Sequence, residues 1–272
     1  MPASQFIIQR SSIDGVQAVA ACSRHAFARH THDQYGIGVM RQGAQVSHSG
    51  RGQVQAGPGY VITVNPGEVH DGAPIGGGVR AWQMLYLDPA VVADAASDLD
   101  GGGRLDYEFE LPARDQPGLA RDVLALYAHA VAGAAPLACD TLLRRVLLQA
   151  GGPHGGRPGP ETCRGAPGAI RHARGLIDDD PAAALSLADL AAASGLSRYQ
   201  VLRAFARATG LTPHAYQMQR RLLLARQLIR QGLPLADAAV LGGFSDQSHM
   251  TRLFVRAYGV SPGRYALAAG GA

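Results

Sequence analysis

The 272-residue chain has no lysine: all 25 of its Lys and Arg positions are arginine. Genome base composition alone produces such a bias, so this shortage excludes little. Other shortages exclude more. The three cysteines, Cys22, Cys139 and Cys163, lie far apart, and none forms a C-x-x-C pair. That count argues against a disulfide scaffold and a cysteine-based zinc site, and fits a reducing compartment. No apolar run reaches membrane-spanning length, and "MPASQFIIQR" lacks the apolar centre of a secretory signal. A cytoplasmic protein without a membrane partner is expected. There is no G-x-S-x-G, no H-E-x-x-H, no P-loop and no dinucleotide fingerprint. No residue is assigned a catalytic role and no cofactor is expected.

What is present describes a globular protein. Hydrophobic residues make up 47% and charged residues 17%, which is not the balance of a disordered chain. The length suits two modest domains. Their charges differ. Residues 1–168 carry 13 Arg against 15 acids, a formal −2, and residues 169–272 carry 12 Arg against 6 acids, a formal +6. A polyanion would bind the basic half.

"AGGPHGGRPGPETCRGAPG" is packed with Gly and Pro and reads as a linker over 151–168. Before it, up to about Asp88, "YGIGVM", "YVITVN" and "WQMLYL" are short apolar runs broken by turn residues, the pattern of an all-β unit. Over 113–150, "DQPGLARDVLALYAHAVAG" and "PLACDTLLRRVLLQAG" place Leu, Val and Ala at helical spacing. Residues 169–272 read as entirely helical.

That last segment contains a repeat. Leu185, Leu187, Ala188, Asp189, Ala191, Gly195 and Ser197 recur 48 positions later as Leu233, Leu235, Ala236, Asp237, Ala239, Gly243 and Ser245. Arg203, Phe205, Arg207, Gly210 and Pro213 recur 49 positions later, so one residue has entered the second copy after Ser245. Each copy spells helix, tight turn, helix. In the first, Ser186 caps one helix and Gly195 stops it; Ser197 and Gln200 form a capping box for the next, and Gly210 ends it. Thr212 and Pro213 then open a further helix. Two short helices about a glycine turn make a helix-turn-helix.

Helical geometry sorts the second helix of each copy into faces. Val201, Phe205 and Ala208 share one face, as do Met250, Phe254 and Ala257, and both sets should be core. Tyr199, Arg203 and Leu202 face away in the first copy. Ser248 and Arg252 do so in the second, flanked by His249 and Thr251. An outward face rich in Arg and hydroxyls suits base edges in a major groove, and Leu methyls suit thymine. "PHAYQMQRRLLLARQLIRQG" between the copies predicts a connecting helix of about 28 Å, against about 34 Å between successive major grooves on one face. Its Arg220, Arg221, Arg226 and Arg230 either pair internally or meet phosphate.

The residues from "LSLADLAAASGLSRYQVLRAFARATG" to "GFSDQSHMTRLFVRAYGVSPGRY" closely resemble the AraC/XylS family of bacterial transcription regulators, over about the last hundred residues. The resemblance implies an α+β multidomain fold: a cupin-like β-barrel over 1–112, a helical dimerisation segment over 113–150, and two helix-turn-helix subdomains joined by a linker helix over 169–272. It places Tyr199, Leu202 and Arg203 in one base-reading helix, and Gln247, Ser248, His249 and Arg252 in the other. The implied function is sequence-specific binding of promoter DNA, with activation as the usual outcome, under the control of a small effector. The implied setting is the bacterial nucleoid, with RNA polymerase as a further partner. A homodimer is expected, with Val123, Leu124, Leu126, Tyr127, Leu142, Leu143, Val146 and Leu147 either at its contact or in the subunit's own core.

"FARHTHDQYGIGVMRQG", "GPGYVITVNPGEVHDG" and "WQMLYLD" resemble the family's sensor domain in order. There His30, His32, Tyr35, His70, Trp82 and Tyr86 are expected to line the effector pocket. His30 and His32 alternate, as on one strand face, and with His70 they are the residues that would hold a metal. The glutamate that enzymatic cupins place a few residues after H-x-H is missing from "DQYGIG", so no metal is expected. The alternative function is a cupin metalloenzyme, a dioxygenase or isomerase, with a helical appendage.

Overall fold

A computed structural model describes residues 5–97, 107–153 and 168–269. The linker expected over 151–168 lies largely outside these residues, as does Cys163. The first part of the chain builds β1 (Gln5–Gln9), β2 (Val16–Ser23), β3 (Phe27–His30), β4 (Tyr35–Gln42), β5 (Gln45–Ser49), β6 (Gly52–Ala56), β7 (Val61–Val64), β8 (His70–Pro74) and β9 (Arg80–Leu87). There follow α1 (Pro89–Ser97), β10 (Tyr107–Phe109), β11 (Ala113–Arg114), α2 (Pro117–Ala132), α3 (Pro136–Ala150) and β12 (Gly151–Pro153). The remainder is helical: α4 (Gly168–Asp179), α5 (Leu187–Ser194), α6 (Arg198–Thr209), α7 (Pro213–Arg230), α8 (Leu235–Leu241), α9 (Gln247–Tyr258) and α10 (Pro262–Ala269). The chain divides into two compact units, one holding the β-strands and the other the helices from α4 onward.

The expected cupin-like unit is built as two main antiparallel sheets, ordered β1-β2-β9-β4-β7-β11 and β3-β8-β5-β6. Period-two alternation gives the larger sheet two different faces. Ala18, Ile37, Val39, Leu85 and Leu87 point to the helices and form one core with Val92, Leu119, Val123, Leu126, Leu143, Val146 and Leu147. Met40, Val64, Trp82 and Met84 are buried on the opposite face. Gly38 has to be glycine here: a Cβ would lie 2.3 Å from the Gln83 carbonyl oxygen and 2.5 Å from Met84 Sδ.

The helix pair α2 and α3 resolves an alternative left open by the sequence. Val123, Leu126, Tyr127, Leu143, Val146 and Leu147 are buried in the subunit's own core, with Leu124 and Leu142 packed against it. The sheet needs a cover for its apolar face, and these residues supply it. The exposed leucines of α3 are instead Leu137 and Leu148.

In the helical unit the local signals act as expected. Ser186 and Asp189 form a capping box on α5, and Ser197 and Gln200 form one on α6. Gly195 and Gly210 end those helices in the left-handed region. Thr212 caps α7, with Pro213 in its first turn. The second copy differs where the extra residue entered. The cap of α9 is Asp246 rather than Ser245, its Oδ1 accepting from the His249 amide at 2.7 Å. Pro234 precedes α8 without a side-chain cap. Among the described residues, no helix is long and apolar enough to cross a membrane.

Candidate nucleic-acid interface and effector site

Helices α6 and α9 present the two faces that their spacing predicts. Val201, Phe205, Met250 and Phe254 are fully buried. Tyr199 is 66% exposed and Leu202 37% exposed, and Arg203 is also exposed. The Arg203 guanidinium sits 5.6 Å from the Tyr199 ring centroid, so an aromatic and a cationic group project together. On α9, Gln247, Ser248 and Arg252 are exposed. His249 is only partly so: its Nδ1 lies 3.1 Å from Ser245 Oγ, and its ring meets Phe244 edge-on at 5.6 Å. His249 therefore braces the turn into α9. Sequence reasoning missed that role, because the repeat aligns Ser245 with the capping Ser197.

The arginines of α7 mostly pair internally. Arg220 forms an ion pair with Asp178 at 2.9 Å. Arg226 is buried, with its guanidinium 5.5 Å from the Tyr258 ring and 6.0 Å from that of Tyr265. Arg221 donates to backbone carbonyls. These side chains hold the helical unit together.

In the β unit, the residues expected to share one pocket divide into groups. Strand β3 ends at His30, so His32 lies just beyond it rather than on a continuous strand. Even so, the ligating nitrogens of His30, His32 and His70 all lie within 4.8 Å of one another. His32 is also 5.1 Å from Tyr86 and 5.2 Å from His70, ring to ring. The Nδ1 of His30 lies 2.8 Å from the Ala28 carbonyl, and that of His70 lies 3.1 Å from the Glu68 carbonyl. A carbonyl only accepts, so each Nδ1 carries the proton and Nε2 is left for other contacts. Burial lowers the His70 pKa, against opposing contributions from Glu68 and Asp71, which favours the neutral ring.

Tyr35 is a correction. It pairs with Leu87 across the sheet and so faces the helices, with its ring against Tyr107 and Phe109 and its hydroxyl donating to the Tyr107 carbonyl at 2.6 Å. Trp82 stands on the same strand face as Tyr86, four residues and about 13 Å away. It belongs to an aromatic group with Phe6 and Phe27. Arg80 completes that group, and sequence reasoning missed it. It is 1% exposed, its guanidinium lies 4.9 Å from the Trp82 ring, and it donates to Gln45 and to the carbonyls of His25 and Gly72. Burial pushes its pKa down to about 10. Its place two residues before Trp82 was the usable signal, since i, i+2 share a strand face.

A β sensor unit followed by a helical unit with two helix-turn-helix subdomains defines a ligand-responsive DNA-binding protein. An AraC-like ligand binding domain model matches residues 15–147, and a helix-turn-helix domain model matches 190–268. The chain belongs to the AraC family of transcription regulators. It is 26% identical over 224 residues to the HTH-type transcriptional regulator YbfI of Bacillus subtilis, covering 82% of this chain and 81% of that one. It is 43% identical over 82 residues to the transcriptional activator NphR of a Rhodococcus species, covering 30% of this chain and 24% of NphR. Its fold is similar to that of ToxT from Vibrio cholerae bound to an unsaturated fatty acid, with a TM-score of 0.56, 12% identity, and coverage of 100% of this chain and 99% of that one. YbfI and NphR are transcription regulators by name, and the enzyme alternative finds no support among these relatives.

Proposed function

We propose that this regulator reads a two-part promoter site through α6 and α9, and that a small molecule bound in the β unit controls that reading. The observation that carries the proposal is the pair of capped helices whose outward faces expose Tyr199, Leu202 and Arg203, and Gln247, Ser248 and Arg252. Arg203 and Arg252 are the base readers. Leu202 supplies a methyl contact, and Gln247 and Ser248 hydrogen-bond to base edges or phosphate. His249 takes part by holding the start of α9. The effector contacts His30, His32, His70 and Tyr86, with Trp82 farther along the same strand face. Its binding shifts the equilibrium between arrangements of the chain that differ in DNA affinity. The protein acts as a homodimeric activator that engages RNA polymerase in a bacterial cytoplasm, associated with the nucleoid. NphR supports the activating sign by its name alone.

The test is selection from a randomised duplex pool by the full chain. A recovered two-part consensus supports the reading; recovery of unrelated sequences contradicts it. A second reading rests on one observation, the convergence of three imidazoles within 4.8 Å. Three imidazoles this close suit a divalent transition metal, and the backbone bonds to Nδ1 of His30 and His70 are the usual outer support of such ligands. Metal analysis of the purified protein separates the readings: one tightly held equivalent makes the metal part of the effector site.

A further inference from the structure

Arg221, in the middle of α7, grips both halves of the DNA-binding unit. Its Nε donates to the Pro181 carbonyl at 2.8 Å, and its Nη2 donates to the carbonyls of Ala182 at 3.2 Å and Ala183 at 3.0 Å. These three belong to the turn between α4 and α5, in the first helix-turn-helix half. Its Nη1 donates to the Gly243 carbonyl at 2.6 Å. Gly243 lies in the turn between α8 and α9, in the second half, three residues before the cap of α9.

The surroundings are shaped for this grip. Gln217, one helical turn earlier, donates to the Pro181 and Ala183 carbonyls at 3.2 and 2.8 Å. Asp180 accepts from the Ala182 and Ala183 amides, which fixes the turn whose carbonyls Arg221 meets. Gly243 has φ of +77°, and a Cβ there would lie 2.8 Å from Ala182 Cα and 3.0 Å from Arg221 Nε. The two turns are therefore in direct contact, with the guanidinium along their seam. A planar fork with five N–H donors can span two turns at once; an ammonium on a flexible stem cannot hold the same four acceptors in that geometry.

We infer that Arg221 is a positioning residue for DNA recognition: it sets the offset between α6 and α9, and with it the spacing of the two half-sites that the protein accepts. This role rests on the DNA-binding reading above, but it also has a consequence for the free protein.

Two measurements on the full chain test it. The first uses no DNA. Spin labels are placed at Arg207→Cys and Arg256→Cys, equivalent positions on α6 and α9, with the native cysteines replaced by serine. A narrow distance distribution is expected in the parent and a broadened or displaced one in Arg221→Lys, which keeps the charge and helix propensity; Arg221→Met serves as the second variant. An unchanged distribution in folded variants overturns the inference, whatever the DNA result.

The second uses the duplex selected by the wild-type chain, with and without one base pair inserted between its two parts. Wild type should lose about tenfold or more in affinity on insertion, the scale of a poorly accommodated site. Arg221→Lys should lose about threefold or less, because its helices are no longer held to one spacing. Equal discrimination by the two proteins contradicts the inference while leaving DNA binding intact. Failure of the wild type to select any duplex contradicts the DNA reading and leaves the spin-label result to decide the role of Arg221.

Discussion

Phe205 and Tyr199 lie six residues apart on α6 and have opposite fates: Phe205 is fully buried and Tyr199 is 66% exposed. One helix thus anchors a core with one face and offers an aromatic ring, with Arg203 over it, on the other. Phe205→Ala should destabilise the helical unit by about 3–5 kcal/mol, the usual range for a buried phenylalanine. Tyr199→Ala should leave stability within about 0.5 kcal/mol of wild type. Thermal or denaturant unfolding checks both, and equal losses would mean that the helix faces are misassigned.

The exposed arginines should behave as base readers. Arg203→Ala and Arg252→Ala are each expected to weaken binding by about 1–3 kcal/mol and to relax preference at one base position. Titration against a panel of single-base variants of the selected duplex measures this. A uniform loss across the panel, with a reduced salt slope, would make either residue a phosphate contact instead.

Helix caps give a separate check on the repeat. Ser197→Ala removes the side chain that accepts from the Gln200 amide at 3.3 Å and should cost about 1 kcal/mol. The matching change in the second copy, Ser245→Ala, should cost less, because Asp246 is the cap of α9. Paired unfolding curves decide between them; an equal cost would mean that Ser245 supports α9 as strongly as Ser197 supports α6.

The β unit should lose stability in mild acid. Burial holds His70 below its ordinary pKa of 6.5, so below that pH the unfolded chain takes up a proton that the folded chain resists. Stability from this group is present above about pH 6.5 and falls as the pH drops toward the lowered folded-state value. Glu68 and Asp71 oppose the shift and narrow this window, while burial, the largest cause, sets its direction. Melting between pH 7.5 and 5.5 should show a shallower decline for His70→Gln than for wild type. Parallel slopes would mean that His70 does not govern the acid response.

Much of the helical unit was legible in the sequence because its signals are local. Ser186, Ser197 and Thr212 act within three residues of themselves, and Val201 and Phe205 share a face by helix geometry alone. The role of Arg221 was not legible, since its four acceptors lie 22 to 40 residues away and all are backbone. In the β unit, alternation placed Trp82, Met84 and Tyr86 together but did not say which side was the pocket. Tyr35 departs from expectation for that reason: strand register, which one sequence does not carry, pairs it with Leu87 on the helix side. The α2 and α3 leucines and valines were ambiguous because an apolar helix face fits a partner subunit and a sheet equally well.

The most direct test is hydroxyl-radical footprinting of the duplex selected by the full chain. Two protected patches are expected on one face of the helix, about 34 Å apart, fading together as salt rises. Arg203→Ala should weaken one patch and Arg252→Ala the other. Protection that shows no sequence preference, or a single patch affected equally by both substitutions, would contradict the claim that α6 and α9 read separate parts of one site.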